Sequence, residues 1–286
     1  MRQDELLTFM SERHKIYVRR EMGEAKPWTD DPILQTYKFC NVYRELDRGT
    51  IWFAKNWRNT HEDCWFASLV YRFVNWPETA QDIGFPVPWK FKKFITAIDK
   101  RAAAGKKCYS SAYMISTHGV TQYKSLYLAE SLDKIWKQRH IIRPRKNDTL
   151  YEFHTRLMSC FDVGSFLAGQ VVADIKYSDP FLKKAEDWWT FAASGPGSRR
   201  GLNRVCQASP NNPPVDEPWK EEHWRRQLAE LHEVLKPFLA RVQMPPIHAQ
   251  DLQNCLCEFD KYERVRLGEG RPKSKYPGLP TKGEQP

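Results

Sequence analysis

Apolar residues spaced three and four apart run along almost the whole chain, and this spacing constrains the fold more than any other feature. Side chains at i, i+3, i+4 and i+7 share one face of an α-helix. Trp224, Leu228, Leu231, Leu235 and Leu239 follow that rule through a segment from Asp216 to Arg241 that opens with acidic residues and Pro218. The same reading predicts helices over Pro32–Asp47, Glu62–Asn75, Val87–Ala104, Tyr123–Gln138, Asp148–Met158 and Ala249–Arg266. In the first of these, Phe39, Val42 and Leu46 make one row, and Ile33, Tyr37 and Cys40 a second. Pro88 falls in the first turn of the third and Gly105 just past its end, where those residue types favour a start and a stop. The fold class expected is therefore all-α. Gly195–Pro214, rich in Gly, Pro and Asn, reads as the one long loop, and a loop of that length in a compact domain is usually functional or disordered. Residues 1–266 read as a single helical domain, or as two lobes with a pocket between them, and 267–286 as a basic Pro/Gly-rich tail.

Composition narrows the partners. Aromatics make up 13% of the chain and include 11 Trp, enough for a sizeable core. No apolar run approaches the roughly 20 residues that span a bilayer. The N-terminal stretch MRQDELLTFMSERHKIYVRR is charged throughout and lacks the apolar core of a signal peptide. A cytoplasmic protein without a membrane partner is expected. The net charge of +10 favours polyanionic partners, although many soluble proteins are as basic. Seven Cys without paired or knuckle spacing predict neither a disulfide framework nor an iron–sulfur cluster.

The most informative stretch is Thr155–Asn203. A helix ends near Ser159, Phe161-Asp162-Val163-Gly164 makes a tight turn, and a second helix starts at Ser165. A Gly turn into a helix N-terminus presents unpaired N–H groups to an anion, so Gly164 and Ser165 are candidate contacts to a DNA phosphate. An ordinary helix–turn–helix connection has the same pattern. The turn resembles the helix-hairpin-helix of DNA glycosylases in Val163, Gly164 and Ala168, while Cys160, Phe161 and Asp162 depart from it. In those enzymes an essential Asp follows the hairpin Gly at a spacing that Asp187 matches, beside Trp188 and Trp189. Asp174 and Asp179 compete on spacing, and Asp174 is better read as structural or solvated. Gly195, Gly197, Arg199, Arg200 and Asn203 follow, in a run open to two readings: an anion nest with two Arg clamps, or a basic surface loop. Asn41, Arg44 and Arg48 share one face of the expected first helix beside Tyr43 and Asp47, as a pyrimidine-reading set or as a solvated, salt-bridged face. Glu258 and Lys261 lie in a mixed-charge terminal helix, and Arg271 and Lys273 in a basic run able to track DNA.

Three segments in order, FCNVYRELDR, VGSFLAGQVVADI with DWWTFAASGPGSRRGLN, and LCEFDKYERVRLGEGRPK, resemble the alpha-glutamyl/putrescinyl thymine pyrophosphorylase family. That group comprises phage amino acid:DNA transferases and the helical domain attached to 5-hydroxymethyluracil DNA kinases. The resemblance spans residues 30–277 and implies a helix-hairpin-helix glycosylase-like fold. It implies double-stranded DNA with a modified thymine as substrate, in a phage-infected bacterial cytoplasm. An amino acid or amine of the glycine, glutamate or putrescine type would displace pyrophosphate from the 5-hydroxymethyl group of uracil. No GxxxxGK[ST] motif occurs, which favours the transfer step, with a separate kinase as functional partner.

On this reading Arg44, Arg199 and Arg200, with Arg48, stabilise departing pyrophosphate, and Asp187 orients or deprotonates the amine. Trp188 walls the base pocket. Asn41, Tyr43, Gly195, Gly197, Asn203, Glu258 and Lys261 complete substrate binding. No cofactor is expected, with Mg²⁺ as an optional aid to pyrophosphate departure. Two rivals remain open: a glycosylase acting on a modified pyrimidine, and a non-catalytic DNA-binding module that partners the kinase.

Overall fold

The computed structural model describes residues 2–110, 115, 123–206, 220–272 and 274–276. The protein is all-α: among the described residues there is no strand, only an isolated bridge between Tyr37 and Lys275. In chain order the helices are α1 (Gln3–Glu21), α2 (Pro32–Thr36), α3 (Arg48–Asn56), α4 (Cys64–Val74), α5 (Pro77–Ile83), α6 (Phe91–Ala103) and α7 (Lys124–Lys137). They continue with α8 (Arg139–Ile142), α9 (Leu150–Met158), α10 (Ser165–Ile175), α11 (Pro196–Cys206), α12 (Glu221–Arg241) and α13 (Ala249–Arg266). Among the described residues no helix is long and apolar enough to cross a membrane.

The chain divides into two compact units. One is formed by Met1–Leu46 with Ser194–Pro286, the other by Asp47–Ala193. In the first unit α13 is the spine, and α1, α2, α11 and α12 pack on it. Helices α11 and α13 approach closely because α11 carries glycine where it faces α13. A Cβ on Gly201 would stand 2.0 Å from the Leu256 carbonyl oxygen, and one on Gly197 would stand 2.4 Å from Cys257 Sγ. In the second unit α10 lies against α4 and α9, and α6 against α5 and α7, around a core that includes Trp65, Phe66, Phe153, Leu167 and Val171.

Local chemistry explains the helix starts. Asp31 accepts from the amides of Ile33 and Leu34 ahead of Pro32. Thr149 and Glu152 form a capping box at α9, and His248 and Asp251 form one at α13. Between α9 and α10 the chain turns through Asp162 (φ 63°), whose carboxylate accepts from Tyr127 and Ser131, and reaches an exposed Gly164 at the N-cap of α10.

Three expectations are corrected. The helix read over Pro32–Asp47 stops at Thr36 and resumes only as a 3-10 turn at Arg44–Leu46. The intervening amides find distant partners instead: Lys38 bonds the Ser274 carbonyl, Cys40 the Glu258 carboxylate and Arg44 the Asp251 carboxylate. Asn41, Arg44 and Arg48 therefore share no helix face. Helix α6 starts at Phe91, not Val87, because Phe85, Val87 and Trp89 alternate against the core in a non-helical segment. The long loop read over Gly195–Pro214 is helical from Pro196 to Cys206, its glycines serving helix packing, and 207–214 lie outside the described residues.

Candidate functional site

Two groups of the predicted residues gather locally, one in each unit. In the first unit three sequence segments meet on α13. Asp251 Oδ1 accepts from the Arg44 amide at 3.0 Å, and Asn254 Oδ1 accepts from Arg44 Nη1 at 3.3 Å. Asn254 Nδ2 donates to the Asn41 carbonyl, while the Asn41 side chain accepts from Arg13 Nη2 and donates to the Leu46 carbonyl. Tyr43 is buried and donates its hydroxyl to the Pro245 carbonyl at 2.8 Å; burial pushes its pKa above the usual phenol range. One turn on, Glu258 accepts from the Cys40 amide and pairs with Lys261 at 2.5 Å. Burial pulls the Lys261 pKa down, but Glu258 outweighs it and the net shift is upward, so the ammonium stays charged.

On the opposing helix Gly195 and Ser198 exchange hydrogen bonds at the start of α11. Arg199 pairs with Glu221 at 2.8 Å and Arg200 with Asp260 at 2.9 Å. Asp260 is fully buried and also takes Arg204, and Asn203 is fully buried. The two arginines read as anion clamps thus each hold a protein carboxylate. Glu45, His248 and Asp251 form a further group that the sequence reading missed. His248 Nε2 lies 3.2 Å from Glu45 Oε1, and Nδ1 lies 3.2 Å from Asp251 Oδ2. Their ligand atoms all fall within 4.8 Å of one another, so an imidazole and two carboxylates could hold a divalent cation. The same contacts also serve as the α13 cap.

The second unit holds Asp187, Trp188 and Arg48. Asp187 Oδ1 accepts from the Leu150 amide at 2.7 Å and Oδ2 from the Tyr151 amide at 3.1 Å. Both oxygens are engaged at the start of α9, where a carboxylate also meets the positive end of the helix. Trp188 donates Nε1 to the Lys176 carbonyl and stacks edge-on with Tyr177 and Trp189; Trp189 is exposed. Arg48 opens α3 and extends to within 3.7 Å of Glu78. Asp174 is fully buried and takes both Arg72 and Ser68, so of its two readings the structural one holds. Ser165 heads α10, with its carbonyl 2.9 Å from His154 Nε2. Arg271 is exposed, and Lys273 lies outside the described residues.

Missed in the sequence were Lys176 and Tyr177, which pack against Trp188, and Arg58, which lies over the Tyr177 ring. Lys176 and Tyr177 directly follow α10, and the rule that a basic residue next to an aromatic supplies a cation–π pair was available to find them.

A family model described as the helical domain of 5-hmdU DNA kinase matches residues 2–271, and the chain belongs to that family. Among curated proteins it is similar to the 5-hmdU DNA kinase of Bacillus phage SP10, 28% identical over 224 residues. That alignment covers 68% of this chain and 35% of the relative, so the matched region spans about a third of the phage enzyme's length. No solved structure matches.

Proposed function

We propose that this protein acts in thymine hypermodification of DNA, catalysing displacement of pyrophosphate from a pyrophosphorylated 5-hydroxymethyluracil by an amino acid or amine. The observation that carries this reading is the family match over residues 2–271, which takes in the first two segments of the sequence resemblance and the third as far as Arg271. In the proposal α9, the turn at Asp162–Gly164 and α10 act as the helix-hairpin-helix that holds a DNA phosphate, supported by the exposed Gly164 at the α10 N-cap. Arg271 and Lys273 add backbone contacts, and the +10 charge supports affinity for DNA. Trp188 walls the flipped base. In the first unit Arg44, Arg199 and Arg200 supply positive charge toward the departing pyrophosphate, with Asn41, Tyr43, Gly195, Gly197, Asn203, Glu258 and Lys261 shaping that site; in the second unit Arg48 contributes to substrate binding. Asp187 serves by fixing the Trp188 turn on α9, a positioning role its hydrogen bonds favour over proton transfer. A 5-hmdU DNA kinase would make the substrate, and Glu45, His248 and Asp251 are where Mg²⁺ or a related ion would be sought.

The test is mass spectrometry of nucleosides from DNA carrying 5-pyrophosphorylmethyluracil, incubated with the protein and glycine, glutamate or putrescine. An aminated thymine with release of pyrophosphate is expected. Abasic sites would make the protein a glycosylase, and DNA binding with unaltered nucleosides would make it a recruiting module.

A further inference from the structure

In the first unit, residues 274–276 pair with the chain after α2 and set two aromatic rings among several cations. The Lys38 amide bonds the Ser274 carbonyl at 3.0 Å and the Tyr276 amide bonds the Thr36 carbonyl at 3.1 Å, with Tyr37 and Lys275 bridged between them. Tyr276 meets Trp28 edge-on with ring centres 5.8 Å apart, and Trp28 is fixed by its Nε1 hydrogen bond to the Glu24 carbonyl at 2.8 Å. The Lys26 ammonium stands 5.2 Å from the Trp28 ring centre and 5.7 Å from that of Tyr276. Arg20 lies 5.4 Å from the Trp28 ring and Lys38 5.8 Å from the Tyr276 ring. All three cations are exposed. Among the described residues neither Arg20 nor Lys38 makes an ion pair; Glu24 faces Arg19 instead, at 3.8 Å. Cation–π contacts hold such groups in place while their N–H groups stay open to an anion.

Trp28 also walls a cavity of about 340 Å³, with apolar sides from Ile16, Pro27 and Leu34, and Lys26 is the single charged group among its described lining residues. That volume falls within the range of sites that take small ligands. An apolar cavity with an aromatic wall fits a flat ring, and the cations around it fit negative charge. A nucleotide carries both: its base has a π face for Trp28, and its phosphates release counterions when Arg20, Lys26 and Lys38 neutralise them. In a duplex the bases are stacked inside and only the cations would find partners, so the rings and the cavity select an unpaired strand. We propose that this cluster binds an unpaired stretch of DNA, one base entering the cavity against Trp28 while Arg20, Lys26 and Lys38 meet the adjoining phosphates. The site requires no base chemistry; only the choice of DNA as the strand rests on the function proposed above.

The experiment is fluorescence anisotropy of the full chain with a labelled oligothymidylate and with a duplex of equal length, over a range of salt. Trp28→Ala should weaken strand binding roughly tenfold or more, the scale of one lost base–aromatic contact, and leave its salt slope and the duplex affinity unchanged. Lys38→Gln should lower the salt slope for the strand by about 0.7, one phosphate contact. Trp28→Phe keeps a ring and should retain most of the affinity. Should Trp28→Ala lose its helical circular dichroism, ultraviolet crosslinking of wild type to a 5-bromodeoxyuridine strand replaces it, with crosslinks expected at Trp28 or Tyr276. Strand affinity and salt slope unchanged in both folded variants, equal weakening of strand and duplex by Trp28→Ala, or crosslinks confined to other residues would overturn the proposal. Strand binding through Trp28 without base modification would count against the transferase and leave this site standing.

Discussion

Gly201 lies so close to Leu256 that a side chain has no room: a Cβ there would stand 2.0 Å from the Leu256 carbonyl oxygen and 2.6 Å from its carbonyl carbon. Both obstacles are backbone, in the middle of α13, and cannot swing away. Gly201→Ala should force α11 and α13 apart and cost about 3 kcal/mol of stability, the upper end for overpacking. At Gly197 the obstacle is the Cys257 Sγ at 2.4 Å, with its Cβ at an ordinary 3.5 Å. Gly197→Ala should therefore cost only about 1 kcal/mol, and Cys257→Ala should restore it while doing nothing for Gly201→Ala. Urea unfolding of the four variants checks this; equal losses at the two glycines would show that the helices adjust freely.

How far the sequence revealed the fold depends on where each segment finds its hydrogen bonds. Helix α13 was legible to the residue, because Ala249 to Arg266 satisfies its own backbone and displays an apolar face. Residues 38–44 were not, since the Lys38 amide bonds to Ser274, the Cys40 amide to Glu258 and the Arg44 amide to Asp251, all more than two hundred residues away. No local pattern carries that information. Gly197 and Gly201 have the composition of a loop but the i, i+4 spacing of a helix-packing stripe, and only the neighbouring α13 decides between the two. At the candidate site the residue types were legible and their commitments were not. Arg199, Arg200 and Asp187 were all visible as charged, yet Glu221, Asp260 and the α9 amides that engage them are distant in sequence.

Asp187 joins a loop to the first turn of α9 through two charge-assisted bonds to the Leu150 and Tyr151 amides. Asp187→Ala should lower stability by about 1–2 kcal/mol, the scale of a lost helix cap, and amide exchange should quicken at Leu150 and Tyr151. Asp187→Asn keeps one acceptor oxygen and should fall between. If Asp187→Ala abolishes base modification with unchanged urea midpoint and exchange, the carboxylate acts on the substrate and the positioning role is wrong.

Several thiols link stability to alkaline pH. Burial raises the pKa of Cys64, Cys160, Cys206 and Cys257 from 9.0 to about 11. Between those values the folded chain holds protons that the unfolded chain has lost, so stability is retained below pH 9 and falls as pH rises toward 11. The same protonation makes these thiols poor nucleophiles at neutral pH, whereas Cys40 is exposed. Iodoacetamide at pH 7.5 should label Cys40 first in native protein, and the urea midpoint should drop between pH 9 and 11. Fast neutral labelling of Cys160 or Cys206 would show that the turn after α9, or the end of α11, opens readily.

Arg200 and Arg204 divide one buried carboxylate, and the division separates chemistry from architecture. Asp260 is fully buried and holds Arg200 through one oxygen at 2.9 Å and Arg204 through the other at 2.8 Å. The Arg204 side chain is 5% exposed and also bonds Glu269, which lowers the Glu269 pKa, with the Arg204 hydrogen bond as the largest cause. The Arg200 side chain is 34% exposed, so it is partly open to solvent where Arg204 is not. Removing Arg204 leaves a buried charge half compensated, and Arg204→Ala should cost about 3 kcal/mol, the lower end for breaking a buried pair. Arg200→Ala leaves Arg204 in place and should cost about 1 kcal/mol, near the value for a partly exposed pair. If Arg200 stabilises departing pyrophosphate as proposed, that small loss should accompany a fall of roughly 10²-fold in the rate of base modification, the size seen when one preorganised donor is removed from a developing anion. Urea unfolding and single-turnover rates on the same two variants give both quantities. An Arg200→Ala protein that modifies DNA at the wild-type rate would reduce Arg200 to a partner of Asp260.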